Sequence, residues 1–245
     1  MIAGDMENAG SGSSTMTNNT ITISGGSINA AEDGSTGGDI NIAGAYSDSS
    51  GASSNEVNIS RGTIGTASGV ISISGAAAYS GDASGNSVTI TGGTIYSENG
   101  CGVLMRGGEM AMTGGTIVAG GEPVFVGKVG DSKVVVTPSG VVFDRDAGYY
   151  DAPNAKVDIG GTAEVSGTLK AIDVLDTKAQ NASEQVDVPG GKFSSDVKEF
   201  VPEGNTTNTD SEGNFIVVVD KAKAVAEANG VGYTTVQAAI DAVAN

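Results

Sequence analysis

The densest cluster of side chains that could do chemistry lies in the segment VVFDRDAGYYDAPN, residues 141–154. Asp144 and Asp146 stand two residues apart, with Arg145 between them. Because paired carboxylates serve as acid and base in most glycoside hydrolases, these three residues are the catalytic candidates if the chain is an enzyme. In a strand, however, Asp144 and Asp146 would share one face and Arg145 would lie on the other. A polar turn between strands explains the same residues without catalysis.

Two aromatic side chains follow this cluster directly. Tyr149, Tyr150 and Asp151 are the candidates for contact with a glycan, because tyrosine rings offer a flat apolar face and a polar hydroxyl. A second charged stretch, RGGE, would form a local ion pair between Arg106 and Glu109, which is worth little on a surface. Carbohydrate chemistry is therefore the enzymatic class that these residues favour.

Several other chemistries are excluded by composition. The chain has no histidine, which removes Ser-His-Asp and Cys-His nucleophilic systems and imidazole zinc sites. Its single cysteine, Cys101, forms no intrachain disulfide, and we interpret it as a small core or turn thiol rather than a nucleophile. Neither a phosphate-binding loop nor a calcium-binding loop motif occurs. We therefore predict no cofactor and no bound metal.

The charge balance also limits the partners. The chain carries 12 basic and 29 acidic residues, for a net charge of −17. A chain this acidic is repelled by phosphate backbones and anionic membranes, so we predict no nucleic-acid partner. No apolar run approaches the roughly 18 residues of a membrane span. The first ten residues lack the features of a signal peptide, and we expect the chain to be a fragment whose signal and anchor lie elsewhere.

A short motif recurs along the chain and indicates the fold. Its copies are TITISGGSI, VNISRGTI, VTITGGTI and MAMTGGTI, in each of which a period-2 strand is followed by a small turn and a second β-branched stub. Glycine reaches backbone angles that are closed to other residues, so the second turn residue marks a corner of the chain. The predicted corners, at unequal spacing, are Gly26, Gly62, Gly93, Gly115, Gly140, Gly161 and Gly191.

A third strand follows in several of these units, at 39–47, 70–80 and 102–107. Three short strands per turn predict an all-β fold, a right-handed parallel β-helix over residues 1–200. We expect Ile to stack on Ile inside and Thr, Ser and Asn to face water, with surface loops at 47–56 and 80–87. The strand with Val134 and Val136 is assigned to the same stack. An antiparallel sandwich or a propeller is the alternative.

The C-terminal part, residues 201–245, changes character. NFIVVVD predicts a strand, and Asn229-Gly230 predicts a hairpin. Tyr233, Val236, Ile240 and Val243 then fall on one face of a short amphipathic helix. This helix would either cover an open end of the solenoid or begin a following domain, and we favour the second interpretation.

Four segments together carry a resemblance to a known group of proteins. They are CGVLMRGGEMAMTGGTIVAGGEP, VGDSKVVVTPSGVVFD, GGKFSSDVKEFVPEG and GYTTVQAAIDAVAN. The chain resembles large repetitive surface proteins of gut Clostridia and related Gram-positive bacteria, which look like pectate-lyase-type right-handed β-helices in tandem. The resemblance is close over about residues 86–245 and looser before them. It implies an extracellular location at the cell surface, and it implies that the C-terminal helix resembles the N-terminal cap of a following β-helix.

Three functions follow as hypotheses. The leading one is a non-enzymatic segment of a larger surface protein, a spacer or adhesive stalk whose partners are glycans or host surface proteins and whose neighbours are domains of the same polypeptide. The second is a polysaccharide lyase or hydrolase that uses Asp144 and Asp146. The third is an assembly unit, because uncovered end rungs of a solenoid present unpaired strand edges.

Overall fold

The computed structural model describes residues 2–3, 15–28, 38–43, 51–65, 71–74, 84–121, 124–129, 132–144, 155–175, 185–228, 231–233 and 235–243. Strands predominate in these residues, and a single α-helix lies near the C-terminus. Most of the strands are parallel and form a curled sheet. The all-β prediction is therefore confirmed.

The elements are numbered along the chain. In order, the strands are β1 (Ile2–Ala3), β2 (Thr15–Thr17), β3 (Thr20–Ile28), β4 (Gly38–Ala43), β5 (Gly51–Ser53), β6 (Glu56–Ile64), β7 (Ile71–Ser74), β8 (Ser87–Ile90), β9 (Thr94–Ser97), β10 (Cys101–Met105), β11 (Glu109–Met112), β12 (Thr116–Ala119), β13 (Val124–Val129), β14 (Ser132–Val136), β15 (Ser139–Asp144), β16 (Lys156–Ile159), β17 (Glu164–Gly167), β18 (Lys170–Leu175), β19 (Val186–Asp187), β20 (Gly191–Phe193), β21 (Asn205–Thr209), β22 (Phe215–Val219), β23 (Ala226–Ala228) and β24 (Val231–Tyr233). The helices are a 3₁₀ turn (Lys198–Phe200) and α1 (Val236–Val243).

The parallel strands form three columns. Column 1 contains β1, β4, β7, β10, β15 and β18. Column 2 contains the first halves of β3 and β6, then β8, β11, β16 and β19. Column 3 contains the second halves of β3 and β6, then β9, β12, β17 and β20. After β1, which lies in column 1, the described strands pass through columns 2, 3 and 1 in that order as far as β18, and β19 and β20 begin a sixth passage; we call one such passage a rung.

Apolar side chains stack along each column. In column 3 the ladder is Ile28, Ile64, Ile95, Ile117, Val165 and Phe193. A second ladder in column 2 is Ile23, Ile59, Ile90, Met112 and Ile159. Nearly all of these side chains are buried, so the expected stacking of like on like is confirmed, with Met in the fourth rung and Phe in the last. Alternation along each strand sends the apolar positions inward and the polar ones outward.

Glycine corners separate column 2 from column 3. Gly62 has φ +100°, and a Cβ there would lie 2.7 Å from the carbonyl oxygen of Gly26 in the rung before. The predicted corners share a positive φ, with the exception of Gly140. The prediction for Gly140 is wrong, because this residue lies inside strand β15.

An inserted hairpin accounts for that error. Strands β13 and β14 pair antiparallel with each other, between column 3 of the fourth rung and column 1 of the same rung. Val134 and Val136 belong to this hairpin, so their assignment to the parallel stack is also wrong. A period-2 pattern indicates a strand and does not say which partner it pairs with.

Buried asparagines form a ladder at the entry to column 2. The backbone N and Nδ2 of Asn55 donate to Oδ1 of Asn86, each at 3.0 Å. The same two groups of Asn19 donate to Oδ1 of Asn55 at 3.1 and 2.9 Å. Asn55 and Asn86 are buried, so the expectation that these two residues face water is wrong. The Oδ1 atoms of Asn55 and Asn86 accept hydrogen bonds from the backbone N–H and the side-chain amide of the neighbouring asparagine. Because these polar groups are paired, burying them costs little free energy.

The C-terminal end of the stack is covered by antiparallel strands. β22 pairs antiparallel with β20, and β21 pairs with β22. Val197 and Phe200, from the segment with the 3₁₀ turn, are buried against the core. β23 and β24 form the predicted hairpin, whose two connecting residues lie outside the described residues. The boundary predicted at residue 200 thus falls just before two strands that extend the sheet of column 3.

The amphipathic helix is confirmed, but its apolar face is not covered. Val236, Ile240 and Val243 are 59%, 55% and 62% exposed, whereas Ala239 is buried. In the described residues the helix therefore does not close the stack with these side chains. No helix in the described part of the chain has the length and apolar character needed to span a bilayer.

Candidate functional site

Only one of the predicted site residues lies in the described part of the chain. Asp144 is the last residue of β15 in column 1. The other catalytic candidates and the candidates for glycan contact lie outside the described residues; they are Arg145, Asp146, Tyr149, Tyr150 and Asp151. The arrangement of these five residues around Asp144 stays a prediction.

Asp144 lies on the outer face of column 1. Val141 and Phe143 belong to the core, so alternation sends Val142 and Asp144 to the opposite face of the strand. That outer face is buried as well, since Val142 is fully buried and Asp144 is only 4% exposed. Column 1 is therefore buried on both faces at this level, unlike column 2, whose outward positions are mostly accessible to water.

The carboxylate of Asp144 is paired across two rungs. Met105 and Phe143 are register partners in β10 and β15, so the residues that follow them, Arg106 and Asp144, come side by side. Nε of Arg106 donates to Oδ2 of Asp144 at 3.1 Å, and the two side chains are 12% and 6% exposed. An ion pair of this kind, largely removed from water, is costly to break because the remaining charge stays buried.

A second buried carboxylate lies on the same outer face. Asp173 in β18 is the register partner of Val142 in β15. Oδ2 of Asp173 accepts a hydrogen bond from Thr137 at 2.8 Å, and Oδ1 accepts one from Nζ of Lys170 at 2.8 Å. Ser139, which is fully buried, lies 3.2 Å from the Thr137 hydroxyl, oxygen to oxygen. Sequence analysis did not identify Asp173; aligning the segments of β15 and β18 by column places it opposite Val142, two residues before Asp144.

We define the outer cluster as Arg106, Asp144, Thr137, Lys170 and Asp173. Both carboxylates in it are buried and each contacts its own cation, Asp144 with Arg106 and Asp173 with Lys170. General acid–base catalysis requires a carboxyl group within reach of a reacting atom. In the described residues, the Arg106–Asp144 and Thr137–Asp173 contacts join adjacent rungs.

The thiol of Cys101 is inert in these surroundings. Burial raises the pKa of Cys101 to about 12, although the Arg106 charge and a backbone hydrogen bond act in the opposite direction. A thiol with this pKa stays protonated at neutral pH and is a poor nucleophile. The side chain is fully buried and lies in strand β10, so of the two structural interpretations the core thiol holds and the turn thiol does not.

Two further acidic groups lie away from the outer cluster. Burial opposes ionisation of Asp210, but hydrogen bonds from Asn214, Lys192 and the backbone of Glu212 hold the pKa of Asp210 at about 2. This residue closes the turn between β21 and β22. In column 2, Asp158 and Asp187 are register partners, and partial burial together with the neighbouring charge of Asp187 raises the pKa of Asp158.

The described residues contain no cluster of metal ligands. Among these residues, no group of three or more Asp, Glu, Cys or His side chains could hold a metal ion. The paired Asp158 and Asp187 provide only two carboxylates, fewer than the six to eight oxygen ligands that calcium takes.

Comparisons with known proteins identify no family for this chain. No protein family model, no curated protein and no solved structure matches this chain.

Proposed function

We propose that this chain is a right-handed parallel β-helix segment of a larger bacterial surface protein, and that it acts outside the cell as a spacer or adhesive stalk. The observation that carries the proposal is the repeated passage of the chain through three parallel columns in one order. Parallel strands of one sheet are joined by right-handed connections in about 98% of cases, which supports the handedness.

The packing supports a mechanical role. Six rungs at the usual strand spacing of about 4.8 Å would form a rod of about 25–30 Å. Ladders of Ile and Val run through its interior, and each rung contacts only its neighbours, as in other solenoids. A net charge of −17 keeps such a rod hydrated and apart from its copies. Loops at its surface would carry any contact with glycans or host proteins.

The outer cluster supports a structural rather than an enzymatic interpretation. Asp144, the first catalytic candidate, is buried in an ion pair with Arg106. A lyase or hydrolase needs its carboxylates exposed to a polysaccharide in a groove. The pairing of Asp173 with Lys170 extends the same argument to the adjacent rung.

The experiment that tests this proposal measures binding and cleavage in the same tubes. The chain is incubated with mucins and plant polysaccharides, with calcium or with a chelator, and both retention and new sugar ends are recorded. We expect no release of sugar ends under any condition. Retention would indicate an adhesive role, and the absence of retention would indicate a spacer.

The contrary outcome is a release of sugar ends that depends on Asp144. If Asp144→Asn abolishes the release and Asp158→Asn, a matched change of an exposed acid, leaves it intact, the chain is a carbohydrate-active enzyme. Circular dichroism of both variants separates loss of activity from loss of folding.

A further inference from the structure

Columns 2 and 3 of the first four rungs carry no acidic residue. Their segments are 21–28, 57–64, 88–97 and 110–119, and none of the chain's 29 Asp and Glu residues falls within them. These segments pair in register, so their outward side chains form one continuous surface, which we call the acid-free face. The face ends at the fifth rung, where Asp158 and Glu164 occupy the same two columns. A surface without acids repels an anionic ligand less than the rest of this chain does.

Hydroxyl groups cover most of the acid-free face. In column 3, one row of register partners consists of hydroxyl residues alone, namely Ser27, Thr63, Thr94 and Thr116. Across the corner, the hydroxyls of Ser60 and Thr91 lie 3.5 and 3.4 Å from backbone carbonyls of the preceding rung. These contacts are long, and they leave both oxygens able to accept a hydrogen bond. Because a hydroxyl group both donates and accepts, such rows suit the hydroxyl groups of a sugar.

One cation lies on the acid-free face. Arg61 is exposed at the glycine corner of the second rung, and it makes no hydrogen bond or ion pair in the described structure. Arg106, by contrast, is paired with Asp144. The nearest acid in the strand of Arg61 is Glu56, five residues earlier and roughly 16 Å away along an extended chain. At physiological salt the Debye length is about 8 Å, so this charge is largely screened from Arg61.

The neighbouring rungs leave the side chain of Arg61 uncovered. Its corner position corresponds to Gly25 in the rung before and to Gly92 in the rung after, each two residues beyond a ladder isoleucine. Glycine has no side chain that covers a guanidinium group or pairs with it. At Gly92 packing excludes a side chain, because a Cβ there would collide with the carbonyl oxygen of Ser60. Arg61 therefore stands between two residues without side chains and is flanked by hydroxyl groups.

We propose that the acid-free face binds a glycan that carries one carboxylated sugar. Arg61 would donate two parallel hydrogen bonds to the carboxylate, and the flanking hydroxyls would pair with the neutral sugars. Tyr96, which is half-buried, and Val118, which is 43% exposed, are register partners in column 3 and would offer an apolar surface to a sugar ring. This inference rests on the adhesive form of the proposed function and names its ligand class.

The charge of the whole chain favours one carboxylate over many. A polyanion would extend beyond the acid-free face into the field of a chain with a net charge of −17. A neutral glycan would use the hydroxyls and leave the Arg61 charge without a partner. A glycan with a single acidic sugar matches the single cation and stays within the face.

The test titrates the full chain with sialyllactose, a neutral disaccharide capped by one carboxylated sugar, and follows the amide chemical shifts by NMR. We expect saturable binding on the order of millimolar, since one ion pair and a few exposed hydrogen bonds are formed. Lactose lacks the acidic sugar and should bind at least about fivefold more weakly. Sulfated lactose should bind more weakly than sialyllactose, and heparin should not bind.

Variants of the corner separate binding from folding. Arg61→Gly restores the residue found at this corner in the rungs before and after, so it should fold normally, and circular dichroism checks this. It should bind sialyllactose at least about tenfold more weakly and lactose as the parent does. Arg61→Lys keeps the charge without the planar fork and should give an intermediate loss. Lys156→Ala, the matched control, removes an exposed charge from the fifth rung and should leave binding unchanged.

Two results would overturn the site: sialyllactose does not bind at concentrations up to about 20 mM, or it binds Arg61→Gly as tightly as the parent chain. Tighter binding of sulfated lactose or heparin would overturn the ligand class. Mucin retention separates this inference from the proposed function. Equal retention by the parent and by Arg61→Gly refutes the site and keeps the adhesive role, whereas no retention by either chain removes the adhesive role itself.

Discussion

Strands β3 and β8 have closely similar sequences, TITI and SVTI, but their neighbours differ. Val88 in β8 lies between two rungs and is buried, whereas Ile21, at the same position of β3, is half-buried, and β3 pairs only with β6 in the described residues. Asparagine and glycine positions follow the same division between interior rungs and the first rung. In a stack of repeats, the free energy that a residue contributes therefore depends on how many rungs it contacts and much less on its own motif.

The largest expected difference is in the aliphatic ladder. Ile95→Ala should lower the free energy of unfolding by about 3–4 kcal/mol, because it opens a cavity between two rungs. Ile28→Ala, at the same position of column 3, should cost about 1 kcal/mol, since water already reaches that side chain. Chemical denaturation followed by circular dichroism measures both. Equal losses would contradict the division between the interior and the first rung.

The corner glycines provide the next comparison. A Cβ on Gly92 would collide with the backbone of Ser60, so Gly92→Ala should cost about 2–3 kcal/mol of stability. Gly25→Ala has open space and no positive φ, and it should change stability by less than about 0.5 kcal/mol. Thermal unfolding of the two variants distinguishes these values. A large loss at Gly25 would mean that another part of the chain fills the space.

The asparagine ladder should give a smaller difference. Asn86→Ala leaves the buried backbone N and Nδ2 of Asn55 without an acceptor, which should cost about 2 kcal/mol. Asn19→Ala removes donors at the half-buried end of the ladder and should cost about 1 kcal/mol. Hydrogen exchange of the Asn55 amide is the sharper readout, since its protection should fall only in the Asn86 variant.

The smallest expected effect is a gain of stability, and it concerns two carboxylates, Asp158 and Asp187, that are register partners in column 2. Because the pKa of Asp158 is raised in the folded chain, this group favours folding at low pH and opposes it once the pH has risen through the folded pKa. Asp158→Asn should therefore stabilise the chain at pH 7 by about 0.2–0.5 kcal/mol, after screening by water. Below the ordinary carboxyl pKa of 3.8, the difference should vanish. A stabilisation that persists at pH 3 would exclude the charge as its cause.

Local patterns were sufficient to predict the strands and most of the corners. Alternating Ile and Val indicated strands, and glycine pairs indicated corners, because side-chain alternation and positive φ are properties of a few consecutive residues. The hairpin of β23 and β24 and the helix α1 followed from equally local signals. Asp144 was chosen from its residue type alone, and nothing in its neighbours along the chain pointed to Arg106.

The partners of these strands were decided only by the tertiary structure. Arg106 and Asp144 are 38 residues apart, and they meet because β10 and β15 pair in column 1, although the hairpin of β13 and β14 lies between these strands in the chain. The burial of Asn55 and Asn86 and the exposure of Val236 and Ile240 depend likewise on which rung or surface lies alongside. The amino-acid sequence by itself determined the all-β character and the inward side chains. The strand register determined which residues pair across rungs and which polar side chains are buried. It depends on the summed lengths of the turns, which no local pattern encodes.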